Sequence, residues 1–317
     1  MSRDTGPLEL KLTVAAKSWL TADIVEIIFT DPDAQSLPRW DAGAHIDVQC
    51  GDHQRQYSLC GDPDDRLQYR VAVLRDANSR GGSTYVHDSL NINDIVQVSG
   101  PRNTFALQPS PRYIFIAGGI GITPVLPMIA AVVEHGSDWA LHYGGRTVGG
   151  MAFLEQLRAH GDRVTIYPQD DVGHLPIGAI LSAPKPNTQV YCCGPAPLLD
   201  AVADAARPWD DGALHVERFA PTDLVADAER SFTVELTDSG IKLQVPPDRT
   251  ILQVLSDAGI DVPSSCEVGT CGTCEATVLA GVPDHRDSVL TAEEREDGHF
   301  MMPCVSRSRT DTLVLDL

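Results

Sequence analysis

Four of the eight cysteines in the 317-residue sequence are concentrated near its C-terminus. Cys266, Cys271 and Cys274 have the spacing C-x4-C-x2-C, and Cys304 follows after a further 29 residues. A tight group of thiols in a sequence without an export signal indicates metal binding rather than disulfide pairing. We therefore expect these four side chains to be the ligands of a metal centre.

The spacing indicates which centre this is. It is the pattern that holds a [2Fe–2S] cluster in plant-type ferredoxins, where one loop curls around two irons. Gly269 and Gly272 allow the positive φ values that such a curl needs. A structural zinc site also accepts four cysteines, but it more often combines two C-x2-C pairs, and this sequence has one. We favour the iron–sulfur cluster, and residues 230–317 resemble a plant-type ferredoxin domain.

The elements around these cysteines can be predicted from local patterns. Residues 231–245 are typical of two strands joined at Asp238-Ser239-Gly240. Thr250 is expected to cap a short helix over 251–258 that ends at Gly259. A further strand is predicted within 275–281. The cysteine loop then lies between a helix and a strand.

A glycine-rich turn in the middle of the chain is a candidate nucleotide site. An apolar run at 113–117 leads into residues 118–124 (GGIGITP), and a helix is expected over 125–134. Thr123 is the predicted N-cap, Pro124 the first helical residue, and Gly136 lies just beyond the helix. Free N–H groups at such a turn attract a diphosphate. The uncharged stretch 113–133 is long enough to span a bilayer, but its glycines and prolines argue against that.

Strands are predicted to alternate with helices through the rest of this region. Short strands at 140–143, 163–167 and 189–192 and a helix from Leu198 indicate a parallel sheet with its ligand at the carboxyl ends. The region resembles the NAD(P)-binding domain of the ferredoxin–NADP reductase superfamily. The resemblance implies that the pyrophosphate is met by Gly119, Gly121, Thr123 and Pro124, and that the nicotinamide lies beside Cys193, Gly194 and Pro195. A buried thiol at a strand end is the alternative for Cys193.

The choice between NADH and NADPH depends on basic side chains. A 2′-phosphate site usually has a cluster of them, but only Arg146 follows the second strand. The acidic Asp170 and Asp171 follow the third strand. We therefore expect NADH, with NADPH as the alternative and Arg146 as a candidate contact.

The first hundred residues contain a candidate flavin site. Residues 9–105 are typical of a β-barrel or sandwich. Within them, residues 55–58 (RQYS) match the Arg-x-Tyr-Ser flavin motif of the same superfamily. The resemblance implies a phosphate contact from Arg55, ring stacking by Tyr57, and a hydrogen bond from Ser58 near flavin N5.

A second segment completes this predicted flavin site. An apolar strand containing Val71 and Val73 precedes the turn Gly81, Gly82, Ser83 and Thr84, which suits a terminal phosphate. In the family, a phosphate monoester at this place implies FMN. FAD enzymes add an aromatic platform for adenine, which we do not find here. FMN is therefore expected, and FAD is the alternative.

Phe219 is a third candidate at the flavin. The resemblance implies that an aromatic residue at the end of the last strand covers the flavin until nicotinamide displaces it. Packing between domains explains a phenylalanine at this position equally well. The predicted catalytic residues are Ser58, Cys193 and Phe219. The resemblance implies three domains: an antiparallel β-barrel flavin domain (1–108), a Rossmann-like parallel α/β NAD domain (109–222) and a β-grasp plant-type ferredoxin domain (231–317). A linker is predicted over 223–230.

The domain order resembles the phthalate dioxygenase reductase and vanillate O-demethylase reductase family. It implies an NADH-dependent oxidoreductase that passes electrons through FMN and the [2Fe–2S] cluster to a terminal Rieske-type oxygenase. Two alternatives stay open. One is a stand-alone flavin reductase (a diaphorase) with a non-redox metal site, and the other is a non-catalytic iron–sulfur sensing module.

Charge and the N-terminal sequence bear on partners and location. Lys plus Arg number 24 against 44 Asp plus Glu, a formal charge of −20. Such a surface repels nucleic acid and anionic lipid. The first ten residues have no apolar core, so we expect a cytoplasmic protein. Residues 284–297 carry six carboxylates and two arginines. They are a candidate docking site for a basic oxygenase surface, although a solvated loop is the preferred explanation.

Overall fold

The computed structural model describes residues 8–77, 79, 81–219, 230–264, 266–267, 269–270, 272–287 and 289–317. Contacts divide the chain into two compact units, Met1–Glu217 and Arg218–Leu317. Each unit is described by itself. Of the predicted linker 223–230, only Arg230 lies within the described residues, so the three-domain division stays a prediction.

The first sheet of the first unit is antiparallel. Its six strands and one helix are β1 (Glu9–Trp19), β2 (Ile24–Thr30), β3 (His45–Cys50), β4 (His53–Ser58), β5 (Gln68–Leu74), α1 (Gly82–Asp88) and β6 (Ile95–Arg102). The strand order is β4-β3-β6-β1-β2-β5. Leu59, directly after β4, forms an isolated bridge with Val71 of β5. Because this bridge joins the two end strands, the sheet closes on itself, and the predicted barrel is confirmed.

The second sheet of this unit is parallel. Its elements are β7 (Arg112–Gly118), α2 (Val125–Glu134), β8 (Asp138–Gly145), α3 (Leu154–Arg158), β9 (Val164–Pro168), α4 (Gln169–Val172), α5 (Ile177–Ile180), β10 (Thr188–Cys193), α6 (Ala196–Ala206) and β11 (Leu214–Glu217). The order is β11-β10-β7-β8-β9. Strand β7 is buried along almost its whole length, as expected for a parallel strand covered on both faces. The predicted parallel α/β fold is confirmed.

One hydrophobic core joins these two sheets. Cys60 and Ala72 from the barrel pack with Ile122, Val125 and Met128 from the second sheet's side. Neighbouring residues of β5 divide between two cores, because side chains alternate along a strand. Val71 and Val73 point into the barrel, whereas Ala72 points to the shared core. The turn 119–122 consequently lies against β5.

The N-cap of α2 differs from its prediction by one residue. Pro124 is the N-cap, and α2 begins at Val125. Thr123 is not the N-cap, because its hydroxyl donates a hydrogen bond back to the Ile120 carbonyl at 2.9 Å. A preceding 3₁₀ turn, Gly119–Ile122, draws the threonine side chain away from the helix. Gly136 does lie past the helix end, with φ of 70°.

The second unit is a small mixed sheet with a packed helix. Its elements are β12 (Phe232–Leu236), β13 (Lys242–Val245), α7 (Ile251–Asp257), β14 (Ala276–Ala280), β15 (Pro283–Asp284), α8 (Ala292–Asp297), β16 (Phe300–Met301), β17 (Arg307–Ser308) and β18 (Thr312–Asp316). The main sheet has the order β13-β12-β18-β14-β16. The predicted hairpin 231–245 is present. Thr250 caps α7 in a complete capping box with Gln253, so this prediction is confirmed too.

The uncharged stretch 113–133 forms β7, the 3₁₀ turn and most of α2. Among the helices of the described ranges, none combines the length and the apolar character needed to cross a bilayer.

Candidate functional site

Three of the four clustered cysteines lie within the described residues and are buried. Cys266 and Cys274 belong to the loop between α7 and β14, and Cys304 lies between β16 and β17. Cys271 lies outside the described residues. Gly269 and Gly272 have φ of 72° and 75°. The loop therefore has the left-handed backbone that was predicted for both glycines.

Hydrogen bonds at the sulfurs suit a cluster of thiolates. The Thr270 N–H points at Cys266 Sγ at 3.4 Å, and the Gly269 N–H donates to Cys304. A hydrogen bond from Cys304 lowers the pKa of the Cys274 thiol and raises that of Cys304. Ligating thiols must lose their protons, so Cys274 and Cys304 would hold an iron in place of the proton that they share.

Two of the described cysteines form a close pair. A two-iron cluster takes two thiolates at each iron. The Cys274–Cys304 pair, buried and hydrogen-bonded, fits a [2Fe–2S] cluster.

The glycine turn and the Cys-Gly-Pro turn meet at the carboxyl ends of β7 and β10. A Cβ atom on Gly121 would lie 2.2 Å from the Cys193 carbonyl oxygen, and one on Gly118 would lie 2.8 Å from Pro195. Gly194 lies in the same contact, against Gly118. Gly121 therefore serves close packing of the two turns.

Gly119 is different from its neighbours. Its φ is 56°, and no atom lies within 4 Å of the place where its Cβ would be. Open space above a left-handed glycine is what a diphosphate needs for close approach to the backbone. The residues present therefore fit a dinucleotide, with Gly119 at the opening.

Cys193 and Glu217 form a pair that sequence reasoning did not include. They are register partners on the parallel strands β10 and β11, and the thiol lies 3.9 Å from Glu217 Oε2. Burial and the neighbouring carboxyl raise the pKa of the Cys193 thiol well above its usual range. Burial also raises the pKa of Glu217 to about 8. Matching the ends of the two predicted strands was the signal that could have found Glu217.

This raised pKa gives a pH-dependent stability. The native state holds a proton on Glu217 between about pH 4.5 and 8 that the unfolded state has released, so the free energy of unfolding falls as pH rises through this window. One such proton corresponds to at most about 1.4 kcal/mol per pH unit. Glu217 is only half-buried, so we expect a smaller slope.

Denaturant unfolding of the wild type and of Glu217→Gln at several pH values measures this effect. We expect the variant to gain stability relative to the wild type as pH increases from 5 to 8. Identical pH profiles for the two proteins would contradict a raised Glu217 pKa.

The flavin motif lies on β4, against the glycines that begin α1. A Cβ on Gly82 would lie 2.4 Å from Arg55 Cγ, and one on Gly81 would lie 2.4 Å from His53 Nε2. The structure thus brings Arg55 to the predicted phosphate turn and adds His53, which the motif did not include. Two nitrogen-rich side chains beside one glycine turn suit an anionic group.

The hydroxyls of this turn bond to one another. Ser83 Oγ donates to Ser79 Oγ at 3.0 Å, and the N–H of Thr84 points to the same Ser79 oxygen at 3.4 Å. Ser79 therefore organises the predicted phosphate turn, a role that the motif did not assign to it.

Ser58 is the clearest indication of an absent partner. Its hydroxyl is buried, and within the described part of the chain it has no hydrogen-bond partner. Buried polar groups are nearly always paired. A ring nitrogen such as flavin N5 would satisfy this hydroxyl, so the site fits a flavin.

The other predicted flavin contacts are placed less directly. The Tyr57 hydroxyl lies 3.9 Å from Cys50 Sγ, and its ring packs in part against the barrel core. The side chains of Val71 and Val73 are fully buried in that core. Their side chains therefore face away from any ligand outside the barrel, and only their backbone atoms are available to a flavin.

Arg146 and Phe219 are the two remaining predicted contacts. Arg146 is exposed on the loop after β8. Phe219 is 43% exposed and belongs to the second unit, so its place at the flavin stays a prediction.

The acidic segment 284–297 is more ordered than a solvated loop. It contains β15 and α8. Asp287 is 2% exposed, and Asp284 forms ion pairs with Arg286 and Arg309. Glu294 accepts hydrogen bonds from Thr291, and Asp297 pairs with His299. Because four of the six carboxylates are bound within the unit, the solvated-loop interpretation was wrong for this part.

Comparisons with known proteins agree with this geometry. Residues 234–309 match the family model of the 2Fe-2S iron-sulfur cluster binding domain. The chain is 41% identical to the phenoxybenzoate dioxygenase subunit beta of Ectopseudomonas oleovorans, over the full length of both proteins. It is 40% identical to the phthalate dioxygenase reductase of Burkholderia cepacia, over 97% of each chain.

Solved structures give the same result. A crystal structure of phthalate dioxygenase reductase, described as modular for electron transfer from pyridine nucleotides to [2Fe–2S], superposes with a TM-score of 0.76 at 40% identity over 98% of both chains. An intact type IV self-sufficient cytochrome P450 monooxygenase has a TM-score of 0.86 at 45% identity. The chain spans only 43% of that protein's length.

Full-length identity of 40% to phthalate dioxygenase reductase, with the same sequence of folds, exceeds what a shared fold alone explains. The predicted resemblance, the fold class and the assignment as an oxidoreductase are confirmed. The chain belongs to the phthalate dioxygenase reductase family of oxygenase reductases.

Proposed function

We propose that the protein is the reductase component of a multicomponent oxygenase or demethylase system, carrying electrons from NADH through FMN and a [2Fe–2S] cluster. The main observation in support is that the same chain has both the buried Cys274–Cys304 pair and the packed turns at Gly121 and Cys193. The names of its full-length relatives support this, since they are oxygenase, monooxygenase and demethylase reductases.

Bound flavin and iron–sulfur cluster supply the redox chemistry, because a flavin accepts two electrons from a nicotinamide and releases them singly. The chain supplies binding and orientation. In this proposal Arg55 binds the flavin phosphate beside Gly82. The Ser58 hydroxyl donates a hydrogen bond to the flavin ring. Gly119 receives the pyrophosphate of NADH. The neutral Cys193–Glu217 pair keeps uncompensated charge away from the nicotinamide pocket, since burial holds both groups protonated.

FMN is proposed over FAD because Arg55 and His53 converge on the turn at Gly81 and Gly82. Two such side chains suit the dianionic monoester of FMN. Chromatography of the flavin released by heat distinguishes the two cofactors. Release of FAD would contradict this part of the proposal.

NADH is proposed over NADPH because Arg146 stands without a second basic side chain in its loop, and Asp170 and Asp171 follow β9. A 2′-phosphate would meet carboxylates there. Steady-state kinetics are expected to give a higher kcat/KM for NADH than for NADPH.

The partner is proposed to be a Rieske-type oxygenase in the cytoplasm. The similarity to phthalate dioxygenase reductase supports this partner. The carboxylates of α8 remain candidates for docking, since Glu293 and Glu296 are exposed. Charge reversal at these two positions is expected to weaken the salt dependence of electron transfer to the oxygenase.

A cytochrome P450 is a second candidate partner. The observation that favours it is the 45% identity to part of a self-sufficient P450 chain, higher than the 40% to phthalate dioxygenase reductase. Reduction rates with purified phthalate dioxygenase and with a P450 haem domain, measured at equal concentrations, distinguish the candidates. Faster reduction of the haem protein would favour the second.

Anaerobic titration with NADH tests the proposal as a whole. We expect the flavin absorbance and the broader iron–sulfur absorbance to bleach together as NADH is added. Flavin bleaching without an iron–sulfur signal, with zinc found by metal analysis, would instead indicate a diaphorase. An iron–sulfur signal without flavin reduction would indicate a sensing module.

Removing the Ser58 hydroxyl tests its role at the flavin. Ser58→Ala is expected to lower the rate of flavin reduction by NADH about 10- to 100-fold, because a preorganised hydrogen bond to the reacting ring is lost. Stopped-flow absorbance measures the rate. The stability of the variant should be unchanged or higher, since its buried hydroxyl has no protein partner in the described chain. A rate equal to that of the wild type would remove Ser58 from the mechanism.

A further inference from the structure

The second unit has a buried carboxylate in the part of the sequence between Cys274 and Cys304. The Asp287 side chain is fully shielded from solvent, and it belongs to the stretch of chain between Cys274 and Cys304. An ionised group is costly to bury unless it is paired and hydrogen-bonded. Its surroundings therefore indicate what it holds in place.

The Asp287 carboxylate binds the chain that follows it. Its Oδ2 accepts hydrogen bonds from the Val289 and Leu290 N–H groups at 3.0 and 2.9 Å. Arg295 lies 3.8 Å from the same oxygen and donates to the Asp287 carbonyl at 2.6 Å. We call Asp287, Val289 and Leu290 the strap. These bonds hold the three residues of the strap together.

The strap crosses the cysteine loop at two points. A Cβ on Gly269 would lie 3.0 Å from Asp287 Cα, and one on Gly272 would lie 3.3 Å from Val289 Cγ1. Both glycines are in the left-handed conformation between Cys266 and Cys274. The strap therefore packs closely against Gly269 and Gly272, the two residues whose left-handed backbone curves the loop.

Asp287 also reaches the segment of the fourth cysteine. Ser306 Oγ donates to Asp287 Oδ1 at 3.4 Å, and the same Ser306 oxygen accepts the Arg286 N–H at 3.1 Å. His285 Nδ1 lies 3.9 Å from Asp287 Oδ1. One carboxylate thus connects the strap, the cysteine loop and the turn after Cys304.

We propose that Asp287 is a positioning residue for the iron–sulfur cluster. By pinning the strap it holds Gly269 where its N–H donates to Cys304, and it ties the Cys304 turn to the same point. Hydrogen bonds to cluster sulfurs tune the reduction potential and the retention of the metal. Asp287 acts through Gly269 and Ser306. This inference rests on the proposed cluster.

The test uses the full-length holoprotein and the variants Asp287→Asn and Asp287→Ala. Asparagine keeps the size and one acceptor oxygen, whereas alanine removes both. Asp261→Asn is the matched control, because it makes the same substitution at an exposed position between α7 and Cys266. The readouts are iron and sulfide content, electron paramagnetic resonance of the reduced cluster, its midpoint potential and the rate of iron release to a chelator.

We expect iron release about 10-fold faster in Asp287→Asn, in the range seen when a group supporting a ligand is lost. The g values and the potential should move from wild type to asparagine and further to alanine, while Asp261→Asn stays at wild type. If Asp287→Ala does not fold, the comparison of Asp287→Asn with the control tests the proposal.

Two results would overturn the proposal. One is agreement of both Asp287 variants with the control in every readout. The other is faster iron release with unchanged g values and potential, which would leave only a role in stability. A wild-type protein without any [2Fe–2S] signal would instead overturn the proposed function itself.

Discussion

Cys304→Ser is expected to abolish the cluster and to lower NADH-dependent reduction of cytochrome c at least about 100-fold, because the one-electron path requires a fourth thiolate that serine does not replace. Reduction of ferricyanide, which accepts electrons from the flavin, should stay within about twofold of wild type because the proposed flavin site is in the first unit. Iron analysis and the two acceptor assays measure these effects.

Cys192→Ala is the control for this prediction. Cys192 is as buried as the cluster cysteines but lies on β10, in the first unit. We expect it to keep full iron content and both activities. A Cys304→Ser protein that retains the cluster spectrum would show that a different residue completes the ligand set. Loss of both activities together would indicate that the cluster is needed for folding of the whole chain.

Gly121→Ala is expected to have the second-largest effect. Its Cβ would lie 2.2 Å from the Cys193 carbonyl oxygen and 2.5 Å from its carbon, and both belong to backbone that cannot rotate away. Overpacking of this kind costs about 1–3 kcal/mol in the free energy of unfolding. Displacing Cys193 and Gly194 should also lower kcat/KM for NADH, since a shift of about 1 Å can cost 100-fold.

Gly178→Ala is the matched control. Gly178 lies in α5 of the same sheet domain, has open space at its Cβ position and no positive φ. Alanine there should leave kinetics unchanged and raise stability by about 0.5–1 kcal/mol, as expected in a helix. Thermal unfolding and steady-state kinetics with NADH compare the two variants. Equal behaviour of both would mean that the contact between Gly121 and Cys193 does not position the site.

Local sequence patterns were enough to predict much of the fold. The predicted helix 125–134 is exact, because an apolar strand, glycines and a proline leave few alternatives for where a helix begins. The capping box at Thr250 is also local, since it involves only residues three apart. Thr123 failed as an N-cap because a 3₁₀ turn, which residue preferences barely distinguish from a helix start, uses its hydroxyl instead.

Contacts between distant segments were beyond these patterns. Glu217 follows Cys193 by 24 residues and reaches it only through the register of β10 and β11. Val71 and Val73 were assigned to the flavin site, but only the closure of the barrel decides that their side chains face inward. His53 meets Gly81 because β4 crosses the start of α1.

Local patterns were enough to identify the chemistry, because cysteine spacing, the Arg-x-Tyr-Ser motif and the glycine turn each require particular residue types. Which groups are shielded from water depends on the tertiary structure. Asp287 is buried, and the Ser58 hydroxyl is buried without a hydrogen-bond partner among the described residues, yet both look like ordinary surface residues in the sequence. Burial depends on how whole sheets pack, and it is burial that turns a common polar side chain into one that must find a partner.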